Sequence, residues 1–145
     1  MILLDTNVLS EFMRVAPEPV VVTWLDAQPA DAVWVCAINR AEIELGIALL
    51  PDGQRKQGLS LKAQIMFAKD FAGRCLPFDG AAASHYAQIV ATRTRAGSPI
   101  SVEDAQIAAI ALTNRFVLAT RNIADFEQID GLDVHNPWNG ARILG

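Results

Sequence analysis

The 145 residues carry 16 acids against 12 lysines and arginines, a net charge of −4, and 52% of them are hydrophobic. A chain of this size fits one domain that buries roughly 70% of its unfolded surface without staples, and its composition excludes disorder and low-complexity linkers. The cations are scattered, which excludes a general nucleic-acid coat, and no apolar run approaches the ~20 residues of a membrane span. With Asp5 and Glu11 near its start and no basic leader, the chain reads as cytoplasmic, with no membrane partner.

Residues 1–4 are an unbroken apolar run and predict a buried strand, followed by a short helix over about 7–14. Pro17 and Pro19 introduce a helix over 19–28 that Pro29 closes. A β-branched and aromatic strand at 33–37 leads into a helix at 38–50, ended by the turn Pro51, Asp52 and Gly53. A helix over 54–72, a strand at 75–78 and a helix over 81–96 follow, the last stopped by Gly97, Ser98 and Pro99. The remaining elements are a helix at 101–114, a strand at 116–120, a helical turn at 124–128 and an edge strand at 132–135. Strands alternating with helices predict an α/β fold, with a central parallel sheet flanked by helices on both faces.

Four acids stand where a solvated acid has no reason to be. Asp5 follows the first strand, at the edge where open α/β sheets bind ligands, and a carboxylate held there needs a partner for its charge. In the helix 38–50, Ile38, Ala41, Leu45 and Leu49 form an apolar stripe, and at about 100° per residue Glu42 falls inside it. The alternative is a stem packed at the stripe edge with the head in water, whereas Glu44 is free to be solvated and to pair with Arg40. Asp104 fits two roles equally well, the third position of a helix capped by Ser101 and an inward-facing ligand on the face of Ala108 and Ala111. Asp125 lies beyond the strand 116–120, in Thr120-Arg121-Asn122-Ile123-Ala124-Asp125-Phe126, as a ligand or as a helix cap.

Crowded carboxylates without a lysine among them become tenable together around hard divalent cations, and oxygen-only ligation favours Mg²⁺ or Mn²⁺ over zinc. Cys36 and Cys75 have no metal spacing and read as buried free thiols; His85 and His135, without paired ligands, read as structural.

Met-Ile-Leu-Leu-Asp-Thr-Asn at the start, Ala41-Glu42-Ile43-Glu44-Leu45-Gly46, Glu-Asp-Ala-Gln-Ile-Ala-Ala around Asp104, and Thr-Arg-Asn-Ile-Ala-Asp-Phe near the end resemble a PIN-domain ribonuclease. The likeness is strongest to VapC-type toxins of bacterial toxin-antitoxin pairs, including their FitB-like branch, and it spans residues 1–145 as one PIN-like domain. It implies an acidic site in which Asp5, Asp104 and Asp125 hold Mg²⁺ or Mn²⁺ and Glu42 positions or deprotonates a water for RNA hydrolysis. Many relatives carry an acid at the position of Asn122, so Asp125 is the expected fourth carboxylate, with Thr6, Asn7, Thr120 and Asn122 as orienting or substrate-positioning groups. The resemblance further implies a homodimer and a cognate antitoxin that covers the site, with Phe12, Val22, Trp24 and Leu25 lining either its groove or the core.

Arg40, Arg93, Arg95 and Arg121 are candidate contacts to RNA phosphates. A haloacid-dehalogenase-like phosphatase needs a second Asp where Asn7 stands, and a receiver domain needs a Lys where Thr120 and Arg121 stand. A catalytically idle PIN fold serving only as a partner is the remaining alternative.

Overall fold

The computed structural model describes residues 1–140. Five parallel strands make one sheet in the order β3-β2-β1-β4-β5: β1 (Ile2–Leu4), β2 (Val33–Cys36), β3 (Cys75–Leu76), β4 (Val117–Ala119) and β5 (Val134–His135). Period-two alternation distributes the strand side chains between two cores. Ile2 and Leu4 face one, with Val33, Val35 and Ala119; Leu3 faces the other, with Cys36 and Leu118. Because both faces are covered, these short strands can be apolar throughout, which is why β1, β2 and β4 were legible as uninterrupted runs.

The first core is closed by α1 (Thr6–Phe12), α2 (Pro19–Asp26), α3 (Ala37–Ala48) and α4 (Gln54–Ile65). The second is closed mainly by α5 (Gly80–Arg95) and α6 (Val102–Asn114), with Phe126 of the single turn α7 (Ile123–Phe126). Alanines on α6 let it lie close to the sheet, and Ala105, Ala108, Ala109 and Ala111 are fully buried. From β1 the chain winds outward through β2 to β3, then returns to the other side of β1 for β4 and β5. The order therefore reverses between β1 and β4. A crevice opens at such a reversal beyond the carboxyl ends of the strands, and Asp5 and Thr120 are the residues that immediately follow those two ends.

Three expectations give way. The helix 54–72 ends at Ile65 and continues as a π-helical turn, Met66–Asp70, whose wider winding, with Phe71 N–H donating to the Met66 carbonyl at 2.9 Å, turns Met66, Phe67 and Phe71 all into the core. Cys75 is exposed rather than buried because β3 is a two-residue edge strand; Cys36 is buried as expected, and burial pushes its thiol up to about 12.

The stripe assigned to α3 is on the wrong face. Leu45 and Leu49 are 59% and 76% exposed, while Asn39 and Ile43 are the buried positions and Ile47 packs beside them. Asn39 explains the rotation. Its Nδ2 donates to the carbonyl of Leu4 at 2.6 Å, and its Oδ1 accepts from Cys36 N–H at 2.9 Å. A polar residue thus occupies the innermost position of α3 to satisfy the backbone where β1 ends.

Candidate active site

Asp5 is 96% buried and caps α1, its Oδ1 accepting from Thr6 N–H at 2.8 Å. Its Oδ2 accepts from the hydroxyl of Thr120 at 2.7 Å and from Asn7 Nδ2 at 3.2 Å. Thr120 is itself fully buried, and its oxygen also accepts from Asn122 N–H at 3.0 Å. Asn7 Oδ1 accepts from Arg121 N–H at 3.2 Å, so the loop after β4 is sewn to the first turn of α1. Thr6 directs its hydroxyl the other way, to Glu42 Oε1 at 2.7 Å. Two neighbouring residues of α1 therefore hold one group each from distant parts of the chain.

Burial raises the Asp5 carboxyl to about 6; repulsion from Asp104 and Glu42 adds to the rise, and the hydrogen bonds from Thr120 and Thr6 oppose it. Asp104 is half-buried in the first turn of α6 and is also raised, by burial first and then by Asp125 and Glu103, against its bond to Ser101. Each acid feels another. No Lys or Arg forms an ion pair with Asp5, Glu42, Asp104 or Asp125 among the described residues, where the three pairs are Arg14–Glu11, Arg40–Glu44 and Lys56–Asp52.

The expected residues gather unequally. Asp5, Glu42, Thr6, Asn7 and Thr120 share one hydrogen-bonded network, and Asp104 and Asp125 join it by charge rather than by contact. The Ser101 hydroxyl accepts from Asp104 N–H at 3.2 Å, which fulfils the capping geometry, and Ser101 also interacts with the Asp104 carboxyl. Asp125 is exposed within α7, and Asn122 precedes that helix without a side-chain cap bond. Asp125 is therefore no cap. Glu42 reaches the site from the half-buried flank of α3, so its environment differs from a solvated acid for a reason other than the predicted stripe.

Arg93, expected at the surface facing RNA, is buried at 7% exposure and donates to protein oxygens. Arg40 pairs with Glu44 and lies 5.1 Å from the Phe67 ring centre, and Arg121 lies 4.9 Å from that of Trp138; Arg95 is exposed. The histidines are structural, His85 Nδ1 lying 2.9 Å from Thr113 Oγ1 and His135 stacking on Trp24. Trp24 is core, with Phe12 and Leu25 packed against the same cluster.

An open cleft of ≈ 830 Å³ begins instead at Thr6 and Glu42 and runs between α1, α3 and α4, with Arg14, Arg55 and Lys62 on its walls. Arg55 and Lys62 are seven residues apart, two turns on one helix face, a spacing that was available in the sequence. Their meeting with Arg14 was not.

The donor chemistry fits a hard divalent cation: all four acids offer oxygen, they repel one another, and no side-chain cation neutralises them. Among the described residues no three His, Cys, Asp or Glu side chains are grouped so that together they could hold a metal ion, so any ion here would rest on fewer protein ligands. That suits an ion bound through one or two carboxylates with water and substrate oxygens completing its shell, the usual manner of Mg²⁺.

Residues 2–132 match the family model of the PIN domain. The chain is 39% identical to VapC ribonuclease Y4jK of Sinorhizobium fredii, over 97% of this chain and all of that protein. It is 42% identical to Toxin FitB of Neisseria gonorrhoeae, over 96% of this chain and 99% of that one. The structure of FitAB bound to an IR36 DNA fragment superposes with a TM-score of 0.89 at 42% identity, covering 98% of this chain and 99% of that one. Nucleases of this family depend on a metal ion. The chain belongs to the PIN-domain family, on the branch that includes the VapC ribonucleases and FitB.

Proposed function

We propose that the chain is the ribonuclease toxin of a toxin-antitoxin pair, acting in the cytoplasm as a homodimer and hydrolysing RNA phosphodiester bonds with Mg²⁺ or Mn²⁺. The observation that carries this reading is the cation-free set of buried Asp5 and half-buried Glu42 and Asp104 beside the crevice between β1 and β4, in a chain so close to a VapC ribonuclease.

Asp5 and Asp104 are the residues that would hold the ion, with Asp125 reaching it directly or through water. Bound there, the ion supplies a positive charge that polarises the phosphoryl oxygen and lowers the pKa of the attacking water. Asp5 is kept in one orientation by Thr120, Thr6 and Asn7, and such supporting bonds fix the direction of a ligand's lone pairs. Glu42 has Oε1 committed to Thr6, which turns Oε2 toward the role of proton acceptor for the water. Water oxygen bonds to phosphorus as its proton passes to Glu42, the bond from phosphorus to the 3′ oxygen breaks, and the 3′ oxygen takes a proton from solvent and leaves as a hydroxyl.

The cleft beside Glu42 supplies the means of inhibition. Met13, Ile43, Ile47, Leu50 and Leu59 give it an apolar floor, and an antitoxin segment laid along it would end at Thr6 and Glu42, closing the site to RNA.

The test is cleavage of RNA by the purified chain, free of antitoxin, with Mg²⁺ or Mn²⁺. Asp5→Asn, Glu42→Gln and Asp104→Asn are expected to abolish cleavage and Asp125→Asn to reduce it about 10–100-fold, the usual cost of disturbing a metal site's supporting groups. Activity that survives Asp104→Asn would return Asp104 to a capping role. Wild-type protein that binds Mn²⁺ without cleaving RNA would favour the idle PIN fold, and hydrolysis of phosphomonoesters alone would favour a phosphatase.

A further inference from the structure

Arg93 stands in the last turn of α5, buried, with no ion-pair partner among the described residues. Its guanidinium donates to three neutral oxygens: Nε to the Ser98 carbonyl at 2.7 Å, Nη2 to the Ser98 hydroxyl at 3.4 Å, and Nη1 to the Asp125 carbonyl at 2.9 Å. Ser98 N–H returns a bond to the Arg93 carbonyl at 3.0 Å, so that residue is gripped from both sides. Burying a cation is costly unless its donors are engaged, and here three of the five N–H donors are taken by two segments that are otherwise far apart in the chain.

Both segments lead to an acid. Three residues after Ser98, Ser101 caps α6 by accepting from Asp104 N–H, and the other segment is α7 at Asp125 itself. These two carboxylates repel each other, and the bonds of Arg93 hold the backbone of the segments that carry them.

We propose that Arg93 is a positioning residue of the acidic site, fixing the mutual placement of Asp104 and Asp125 by tying the loop before α6 to α7. The planar fork of a guanidinium can reach two segments at once, whereas a lysine brings its donors to a single nitrogen. The effect on catalysis rests on the ribonuclease reading; the tie itself is read by metal binding and backbone exchange.

The experiment uses the purified full chain with Arg93→Lys, following Mn²⁺ binding by electron paramagnetic resonance, hydrogen exchange over residues 98–104 and 122–127, and RNA cleavage. Arg93→Lys is expected to fold, to lose about 10–100-fold in Mn²⁺ affinity, to exchange faster in both segments, and to lower kcat with KM unchanged. In an Asp125→Asn background the same change should cost Mn²⁺ affinity no more than about 2-fold, because the carboxylate being positioned is gone.

Mn²⁺ affinity within about 2-fold of wild type, with only the melting temperature lowered, makes Arg93 a packing residue and overturns the proposal. A raised KM with a changed salt dependence and intact kcat makes it a phosphate contact, which overturns it too. If Arg93→Lys does not fold, Ser98→Ala, which removes one of the three bonds, carries the same test: a several-fold fall in Mn²⁺ affinity supports the tie and no change overturns it. Wild-type protein that fails to cleave RNA, while these affinities shift as stated, sinks the ribonuclease reading and leaves this one standing.

Discussion

The carboxylate of Asp5 accepts hydrogen bonds from Thr6, Asn7 and Thr120 and still rises to about 6, because burial and two neighbouring acids outweigh those bonds. A carboxyl raised in the folded state contributes its stability below the unfolded pKa near 4 and loses it as pH rises through about 6. A shift of about two units at about 1.4 kcal/mol each makes the metal-free protein ~3 kcal/mol less stable above pH 7 than the neutral carboxyl would allow. Thermal unfolding in chelator should therefore show wild type losing stability between pH 4 and 7. Asp5→Asn should flatten that loss, and Mn²⁺ added at pH 7.5 should raise the melting temperature of wild type but not of the variant. Equal pH profiles for the two proteins would show that Asp5 does not carry the cost.

Among the elements, the strands and the starts of α1 and α6 were open to reading because local rules and tertiary role agree there. An apolar run ending in Asp5 is both the centre of the sheet and a helix start, and Ser101 caps α6 as its sequence says. The face of α3 was not legible. Leucines drew the stripe to the wrong side, and the buried contact is made by Asn39, whose reason for being inside is the carbonyl of Leu4, 35 residues away. Arg93 was misread for the same cause, since only the fold reveals that its acceptors lie on Ser98 and Asp125. Asp5 and Asp104 were legible as charges in the wrong place, whereas Glu42 was singled out by a stripe that does not exist and owes its place to Thr6, and Thr120 as the partner of Asp5 was visible only as a small polar residue after a strand. At the end of α6, Arg115 takes a left-handed conformation (φ 58°) so that its N–H can close the helix on Ala111 and Leu112. Arg115→Gly should relieve about 1 kcal/mol of that strain and raise the midpoint of urea unfolding without changing its slope.

For the whole molecule, a net charge of −4 with few clustered cations leaves association to shape and to apolar surface. Leu45 on α3 and Leu49 just after its end, with Leu61 and Ile65 on the adjoining α4, are all exposed, more large aliphatic surface than these two helices need for their own packing. The homodimer proposed above has this surface available. Light scattering behind size exclusion should give a dimer for wild type and a monomer for Leu45→Glu with Leu49→Glu, the far-ultraviolet circular dichroism being unchanged. A dimer that persists in the double variant moves the interface elsewhere.

The position of β1 in the sheet also bears on how such a chain comes into being. The strand at residues 2–4 lies between one partner at 33–36 and another at 117–119, and the Asp5 carboxylate is oriented by a hydroxyl 115 residues downstream. Closing so long a loop before any reward is slow, and a chain still emerging from the ribosome holds Asp5 with no β4 beside it and no Thr120 to aim it. While it is being translated, a nuclease built this way lacks the Thr120 bond that orients Asp5, and it gains that bond only when synthesis of this segment is nearly done. The interval between the emergence of β4 and its docking beside β1 is then the time a waiting inhibitor has to arrive.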